Sequence, residues 1–282
     1  MGKKPMELEE LKQVELGILK SFHAFCEKNS LRYYLCGGTL IGAIRHKGFI
    51  PWDDDIDLMM PRPDFMKLYE LVKEDDMLDE FYKVDCSYSN PNALTACIRI
   101  YDIRTELTFD NFRMPYTLGC WVDVFPLDGL PDSESKRNMH FKSMRLLKDI
   151  YYLSITKFGG KRRSKLVSIL QYGLLPILPF TRIPSNAQYT KWLDNVCRKY
   201  DYDKCNYVGV LEGRAVEKEA MLKEKMEPAV SVEFEGSHFW AMANYDEYLQ
   251  NLYGDYMQLP PKEERVSRHE IRTFWKDGKP AE

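Results

Sequence analysis

At 282 residues with 44% hydrophobic side chains, the chain is long enough for one large α/β domain or two small ones around a substantial core. Its 40 basic and 43 acidic residues leave a formal charge of -3, which gives no global basic field and argues against nucleic acid as the main partner. The seven cysteines, Cys26, Cys36, Cys86, Cys97, Cys120, Cys197 and Cys205, are odd in number, form no Cys-x-x-Cys pair and sit mostly in apolar contexts. They read as reduced core residues of a cytosolic protein rather than a disulfide framework or a zinc site.

The opening MGKKPMELEELKQ has a basic start with no apolar run behind it, which argues against a secretory signal. Residues 7–28 place Leu8, Leu11, Val14, Ile18, Phe22 and Phe25 at three- and four-residue spacings, the pattern of an amphipathic helix on which His23 reads as structural. The apolar run 33–36 reads as a short strand ending at Gly37-Gly38, and 39–46 as a helix that stops near Gly48, with Pro51 barring continuation. Residues 53–59 alternate charged and apolar side chains, as a strand with two unlike faces does. Next come a helix at 63–74, strands at 82–87, 96–101, 106–110 and 120–125, and a helix at 133–155. The basic KRRSK of 161–165 leads into 166–183, an apolar run interrupted by Gln171, Gly173, Pro176 and Pro179 and unlike a spanning helix of ~20 apolar residues. That run reads either as a proline-broken core segment or as an interfacial patch touching lipid. A helix at 187–200, short strands near 207–211 and 230–234, and a helix at 245–253 ending at Gly254 complete the chain. A domain boundary is expected, if anywhere, at the basic linker near 160, unless late segments pack back on the first half.

The stretch YLCGGTLIGAIRHKGFIPWDDDIDLMM holds Asp53, Asp54, Asp55 and Asp57, so closely spaced that they must be solvated or neutralised by a cation. On a strand, Asp53, Asp55 and Asp57 share one face, about 6.5–7 Å apart, while Asp54 and Ile56 point the other way. Carboxylates so placed can share one hard cation or flank two, and oxygen-only ligands favour magnesium or manganese over zinc. The apolar neighbours Ile50, Trp52, Ile56, Leu58 and Met59 argue against a merely solvated edge. An EF-hand loop from Asp53 would need Gly and Glu where Leu58 and Asp64 stand. A P-loop through Gly37 and Gly42 would need Lys and Ser or Thr where Ala43 and Ile44 stand, and the dinucleotide fingerprint is absent. What fits is a glycine turn opening a helix, then an acidic strand. Gly37 and Gly38 let the backbone approach an anion, Thr39 offers a hydroxyl, and the helix start favours negative charge. A phosphate bridged there to the carboxylates by metal implies phosphoryl or nucleotidyl transfer.

This pattern resembles the nucleotidyltransferase superfamily. The longer string GGTLIGAIRHKGFIPWDDDID, with GCWVDVFPLDGL at 119–130 and YGDYMQLPPKEER at 253–265, closely resembles the signatures of the LicD family of phosphorylcholine transferases, which are related to fukutin-type sugar phosphotransferases. The resemblance spans residues 10–270. It implies an α+β fold, a nucleotidyltransferase-like mixed β-sheet flanked by helices with family-specific helical additions, in one unit over 1–282. Its parts are a catalytic core at 10–130, a helix-rich addition at 131–205 and a C-terminal segment at 206–270 packing back on the core. It also implies a CDP-linked donor such as CDP-choline, whose phosphoalcohol moves to a sugar hydroxyl of a cell-surface glycan with loss of CMP, with Mg2+ or Mn2+ as cofactor. Transfer of ribitol or glycerol phosphate, another nucleotidyl transfer by the same site, and a catalytically silent glycan- or choline-binding protein are alternatives. The implied setting is lipopolysaccharide or teichoic acid modification by a cytoplasmic protein, with peripheral contact to the inner face of the membrane through 161–183 as an option.

Carried onto this chain, Asp53, Asp55, Asp57 and Asp123 are the metal ligands and Asp55, Asp57 and Asp123 the catalytic set, with Asp123 as metal ligand or general base. Asp54 is read as facing away, and Asp128, before a glycine in a Pro-rich stretch, as a turn residue. Gly37, Gly38, Thr39, Arg45 and Lys47 are candidates for donor phosphate, the two cations alternatively balancing the aspartates. Trp52 and Trp121 are candidates for holding a quaternary ammonium, although most of the 18 Tyr, 14 Phe and 5 Trp are expected to be ordinary core.

Overall fold

A computed structural model describes residues 4–93, 95–109, 118–155, 185–213, 216–267 and 271–277. The basic linker and apolar run at 161–183 lie outside the described residues.

The first helix, α1 (Leu8–Asn29), buries Val14, Ile18, Leu19, Phe22 and Cys26 along one stripe. Glu9 and Glu10 complement the helix dipole in its first turn, and Ser30, in the left-handed region at φ 52°, ends it. His23 is structural as expected, its Nδ1 lying 2.8 Å from the Tyr33 hydroxyl.

The main sheet contains β1 (Tyr34–Leu35), β2 (Asp57–Pro61), β3 (Tyr82–Asp85), β4 (Ile98–Asp102), β6 (Trp121–Leu130), β7 (Tyr207–Val210) and β8 (Met221–Leu222). Its order is β1-β2-β6-β4-β3, with β7 joining β6 to β8. The long strand β6 is the spine. It pairs in parallel with β2, antiparallel with β4 over residues 121–124, and antiparallel with β7 over 127–130. Two further pairs are β5 (Thr105–Phe109) with β11 (Ile271–Trp275), and β9 (Val230–Phe234) with β10 (Ser237–Ala241). The remaining helices are α2 (Gly37–Ile41), which continues into a π-helical turn at Gly42–His46, then α3 (Arg62–Val72), α4 (Glu134–Ile155), α5 (Asn186–Cys197) and α6 (Tyr245–Tyr253). As expected, α6 ends at Gly254 with positive φ. This is the mixed sheet with helices that an α+β fold requires. The main core gathers the α1 stripe with β1, β2, β4 and β6. A second apolar cluster joins Leu130, Phe141, Met144, Tyr189, Leu193 and Cys197 from β6, α4 and α5. All seven cysteines are free thiols and six are buried.

Two expectations are corrected. The strand predicted from residue 53 begins only at Asp57, so Asp53, Asp55 and Asp57 do not share a pleat face and Asp54 does not lie across a strand from them. The reason is partner supply: β1 ends at Leu35 because the chain turns into α2 at Gly37, which leaves residues before Asp57 no ladder on that side. Instead the Asp53 N–H closes a turn on the Ile50 carbonyl at 2.9 Å.

The second correction concerns Asp128, which is a strand residue because β6 runs on to Leu130. Pro126 is tolerated in this central strand because it falls in the gap where β4 pairing stops at Val124 and β7 pairing starts at Leu127. Asp128 is buried and accepts a two-pronged ion pair from Arg62, Nε to Oδ1 and Nη2 to Oδ2, both at 2.7 Å. Arg62 Nη1 also donates to Asp194 Oδ1 at 3.0 Å, and the Tyr88 hydroxyl to Asp194 Oδ2 at 2.8 Å, so α3, β6 and α5 are tied together. The strands β8, β10 and β11 lie where the sequence predicts none.

Removing one member of that network strands a buried charge. Asp128→Ala is expected to destabilise the protein by about 3–5 kcal/mol in urea unfolding. An unchanged midpoint would show that the network does not hold the three elements together.

Candidate active site

Parallel pairing sets Asp57 opposite Asp123 at the N-terminal ends of β2 and β6. The backbone around them is braced. The Cys36 N–H donates to the Asp57 carbonyl at 3.1 Å, the Asp57 N–H to Thr39 Oγ1 at 2.8 Å, and the Asp123 N–H to the Ile56 carbonyl at 3.0 Å. Gly37 turns the chain from β1 into α2 with φ at +54°, a conformation that side chains disfavour. A Cβ at Gly37 would lie 3.5 Å from both Asp57 Oδ2 and the Tyr253 hydroxyl, and one at Gly38 would lie 2.7 Å from Asp53 Oδ2. Gly38 therefore leaves room for the Asp53 carboxylate, while Gly37 is required by its backbone conformation. Oxygens of Asp53, Asp54 and Asp55 lie within 4.8 Å of one another, and Asp54 Oδ2 also accepts from Ser267 Oγ at 2.6 Å.

The electrostatics are those of concentrated negative charge. Burial pushes the Asp57 carboxyl well above its ordinary range, and Asp55, Asp123, Asp53 and Glu219 push it further. Glu15 on α1 behaves in the same way, raised first by burial and then by Asp55, Asp54, Asp53 and Asp57. Its Oε2 is buried with no hydrogen-bond partner among the described residues. An all-oxygen donor set beside a buried, unpartnered carboxylate oxygen suits a hard divalent cation. Asp123 is more fully engaged. Its Oδ1 accepts from Arg99 Nε at 2.9 Å and from Cys97 Sγ at 3.5 Å, and its Oδ2 from Trp121 Nε1 at 3.1 Å.

The other sequence candidates are placed as follows. Thr39 braces the start of β2 through its hydroxyl. Arg45 Nη1 donates to the carbonyls of Tyr256 and Gln258, the latter at 3.3 Å, so its guanidinium fastens the 253–265 motif to the π-helical turn. Lys47 is exposed and caps that turn with φ at 61°. Trp121 carries the Arg99 guanidinium 4.4 Å from its ring centre, and Trp52 carries that of Arg265 at 5.6 Å.

Sequence reasoning missed Glu15 and Glu219. Glu15 was detectable, because it falls between Leu11 and Ile18 on the apolar stripe of α1, where a solvated glutamate does not belong. Glu219 gives no such signal. The Tyr248 hydroxyl donates to Glu219 Oε2 at 3.1 Å and itself receives the Gly37 N–H at 3.4 Å, an arrangement visible only in three dimensions. A separate cleft of about 540 Å3, lined by Arg32, Tyr202, Lys223 and Glu227 among others, involves none of these residues.

A glycine turn, paired carboxylates at the starts of two parallel strands and an acidic loop before one of them, set in a mixed sheet with helices, define a site of the nucleotidyltransferase class. A family model described as LicD/FKTN/FKRP, nucleotidyltransferase domain, matches residues 30–142. The chain is 33% identical over 270 residues, 94% of its own length and 97% of the relative's, to the lipopolysaccharide cholinephosphotransferase LicD of Haemophilus influenzae. It is also 30% identical over 191 residues, 68% of its length and 57% of the relative's, to an uncharacterized protein of Rickettsia prowazekii. The chain belongs to the LicD family. Among the described residues no helix is long and apolar enough to cross a membrane.

The raised carboxyls make a signed prediction. A group whose folded pKa lies above its unfolded value stabilises the fold below the unfolded pKa, and that contribution is lost as pH rises toward the folded one. With Glu15 and Asp57 both raised, the protein in chelator is expected to lose stability as pH climbs from the ordinary carboxylate range to neutrality. Glu15→Gln should melt above wild type in chelator at pH 7.5, and the gap should shrink at pH 5. A variant that melts at or below wild type at pH 7.5 would contradict the repulsion.

Proposed function

We propose that the chain transfers phosphocholine, or a related phosphoalcohol, from a CDP-linked donor such as CDP-choline to a sugar hydroxyl of a cell-surface glycan. The observation that carries this reading is the pairing of Asp57 with Asp123 beside the Gly37-Gly38 turn. It occurs in a chain similar over nearly its whole length to a protein named as a lipopolysaccharide cholinephosphotransferase.

The glycine turn, whose two residues bring no side chain of their own, receives the donor diphosphate together with the cation. Asp53, Asp55, Asp57 and Asp123 hold Mg2+ or Mn2+, which when bound supplies neutralisation of phosphate charge. Thr39 fixes where Asp57 sits, and Arg99 with Trp121 fixes Asp123, so these carboxylates are aimed before substrate arrives. Asp123, oriented by Arg99 and Trp121, is assigned as a metal ligand in this reading. Lys47, exposed at the C-terminal cap of the π-helical turn, stays a candidate for the donor phosphates, whereas Arg45 positions the 253–265 motif. Trp52 is preferred for the quaternary ammonium. Its ring already faces a guanidinium, from the loop residue Arg265, while Trp121 is committed to Asp123 and Arg99. The acceptor is read as a lipid-linked or envelope glycan met from the cytoplasmic side.

The test is a donor panel of CDP-choline, CDP-ribitol, CDP-glycerol and CTP with magnesium, read as nucleotide release in the presence of acceptor glycan. CMP release from CDP-choline is expected. Asp55→Asn and Asp57→Asn should lower turnover by about 10²-fold or more with thermal melts at or above wild type, and Asp123→Asn nearly as much with a lower melt, because Arg99 loses its ion-pair partner. Near-normal turnover in the Asp55 and Asp57 variants, or no nucleotide release from any donor, would favour a binding protein that has kept the fold.

A further inference from the structure

We infer that the solvent faces of α4 and α5 form a docking surface for an anionic lipid membrane, holding the protein where a lipid-linked acceptor is met. Such a surface is independent of the transferase chemistry proposed above, and its test needs no donor.

The two helices share one buried side. Phe141 and Met144 of α4 and Tyr189, Leu193 and Cys197 of α5 sink into the same apolar cluster, so the opposite side of each helix turns to solvent. A surface helix that has buried its apolar stripe carries polar residues on its other side. Here that other side holds large apolar residues as well. Met139 is 62% exposed and Leu146 59%, two turns apart on one line of α4, with exposed Lys142 between them. Trp192 of α5 is 50% exposed and directly follows exposed Lys191. Single apolar residues scattered over a surface need no explanation. Three large ones on two helices packed against each other, each beside a lysine, do.

Charge selects the partner. Lys136, Lys142 and Lys191 are exposed and make no ion pair among the described residues, whereas Arg145 is paired with Glu217 and Arg198 with Asp194. Among the described residues of the two helices the exposed carboxylate is Glu134 alone, in the first turn of α4, where the helix dipole favours it. The chain as a whole has a formal charge of -3, so this local excess of cations runs against its balance. A second copy of the chain would set like charge against like across a two-fold contact, and lysine is depleted in protein interfaces. An anionic membrane answers both halves of the pattern. Its head groups attract the lysines, and Met139, Leu146 and Trp192 enter the boundary between head groups and acyl chains, the level that tryptophan favours.

The experiment is sedimentation of the full chain with vesicles of phosphatidylglycerol and phosphatidylcholine, against phosphatidylcholine alone, with no donor present. Wild type is expected to bind the anionic vesicles saturably, to leave the neutral ones, and to lose at least about tenfold in affinity between ~0.1 and ~0.5 M salt. The triple variant Lys136→Ala, Lys142→Ala, Lys191→Ala should bind about 10²-fold more weakly, at about fivefold per lysine. The triple variant Met139→Ser, Leu146→Ser, Trp192→Ser should bind at least about tenfold more weakly. Both change exposed side chains only, so their thermal melts, and their CMP release from CDP-choline with a detached acceptor, should match wild type. With brominated lipid, wild-type tryptophan fluorescence should be quenched on binding, and Trp192→Phe should lose that quenching. No wild-type binding to anionic vesicles, equal binding to neutral ones, or binding unchanged in either triple variant would overturn the inference. Self-association of wild type without vesicle binding would overturn it as well and give the face to a second copy. Vesicle binding by a wild type that releases no CMP would keep the surface and remove only the transferase reading, and CMP release without vesicle binding would do the reverse.

Discussion

Like charges held side by side by backbone hydrogen bonds set the terms for this protein. Pairing of β2 with β6 leaves Asp57 and Asp123 no way to separate without breaking the central ladder of the sheet. Around them the fold adds more negative charge, from Asp53, Asp54 and Asp55 in the preceding loop and Glu15 from beneath. Cores do not ordinarily tolerate this arrangement, because desolvation and repulsion both favour protonation. Its retention makes sense if the missing positive charge arrives with the substrate.

The same strand shows the opposite solution five residues on. Asp128 is fully buried in β6, yet Arg62 grips both its oxygens and reaches Asp194 as well, so the charge is met inside the fold. Asp123 receives one guanidinium and shares the neighbourhood of several carboxylates. Two aspartates of one strand are thus a structural tie and a candidate ligand. Their partners, not their residue type or spacing, make the difference.

Much of this was legible in the sequence. The stripe of α1, the glycine turn, the acidic motif and the Gly254 stop each follow from local periodicity or from a residue with one conformational use. Where the reading failed, the cause lay outside the segment concerned. The segment 53–56 alternates like a strand but meets no neighbouring strand on the β1 side, since β1 ends where Gly37 turns the chain. Pro126 looks like a terminator, yet it falls in the gap between two neighbours of β6. Asp128 looks like a turn residue until Arg62, 66 positions away, is seen against it. Glu219 acquires meaning only through Tyr248 and Gly37, contacts that no one-dimensional pattern carries.

The claim that the acidic site exists to hold a divalent cation with the donor is tested most directly by Mn2+ binding, followed by water-proton relaxation with and without CDP-choline. Wild type is expected to bind Mn2+ saturably and more tightly with the nucleotide present. Asp57→Asn, still folded, should bind it at least about tenfold more weakly. Equal binding by the two proteins, or none by wild type even with CDP-choline, would contradict the account.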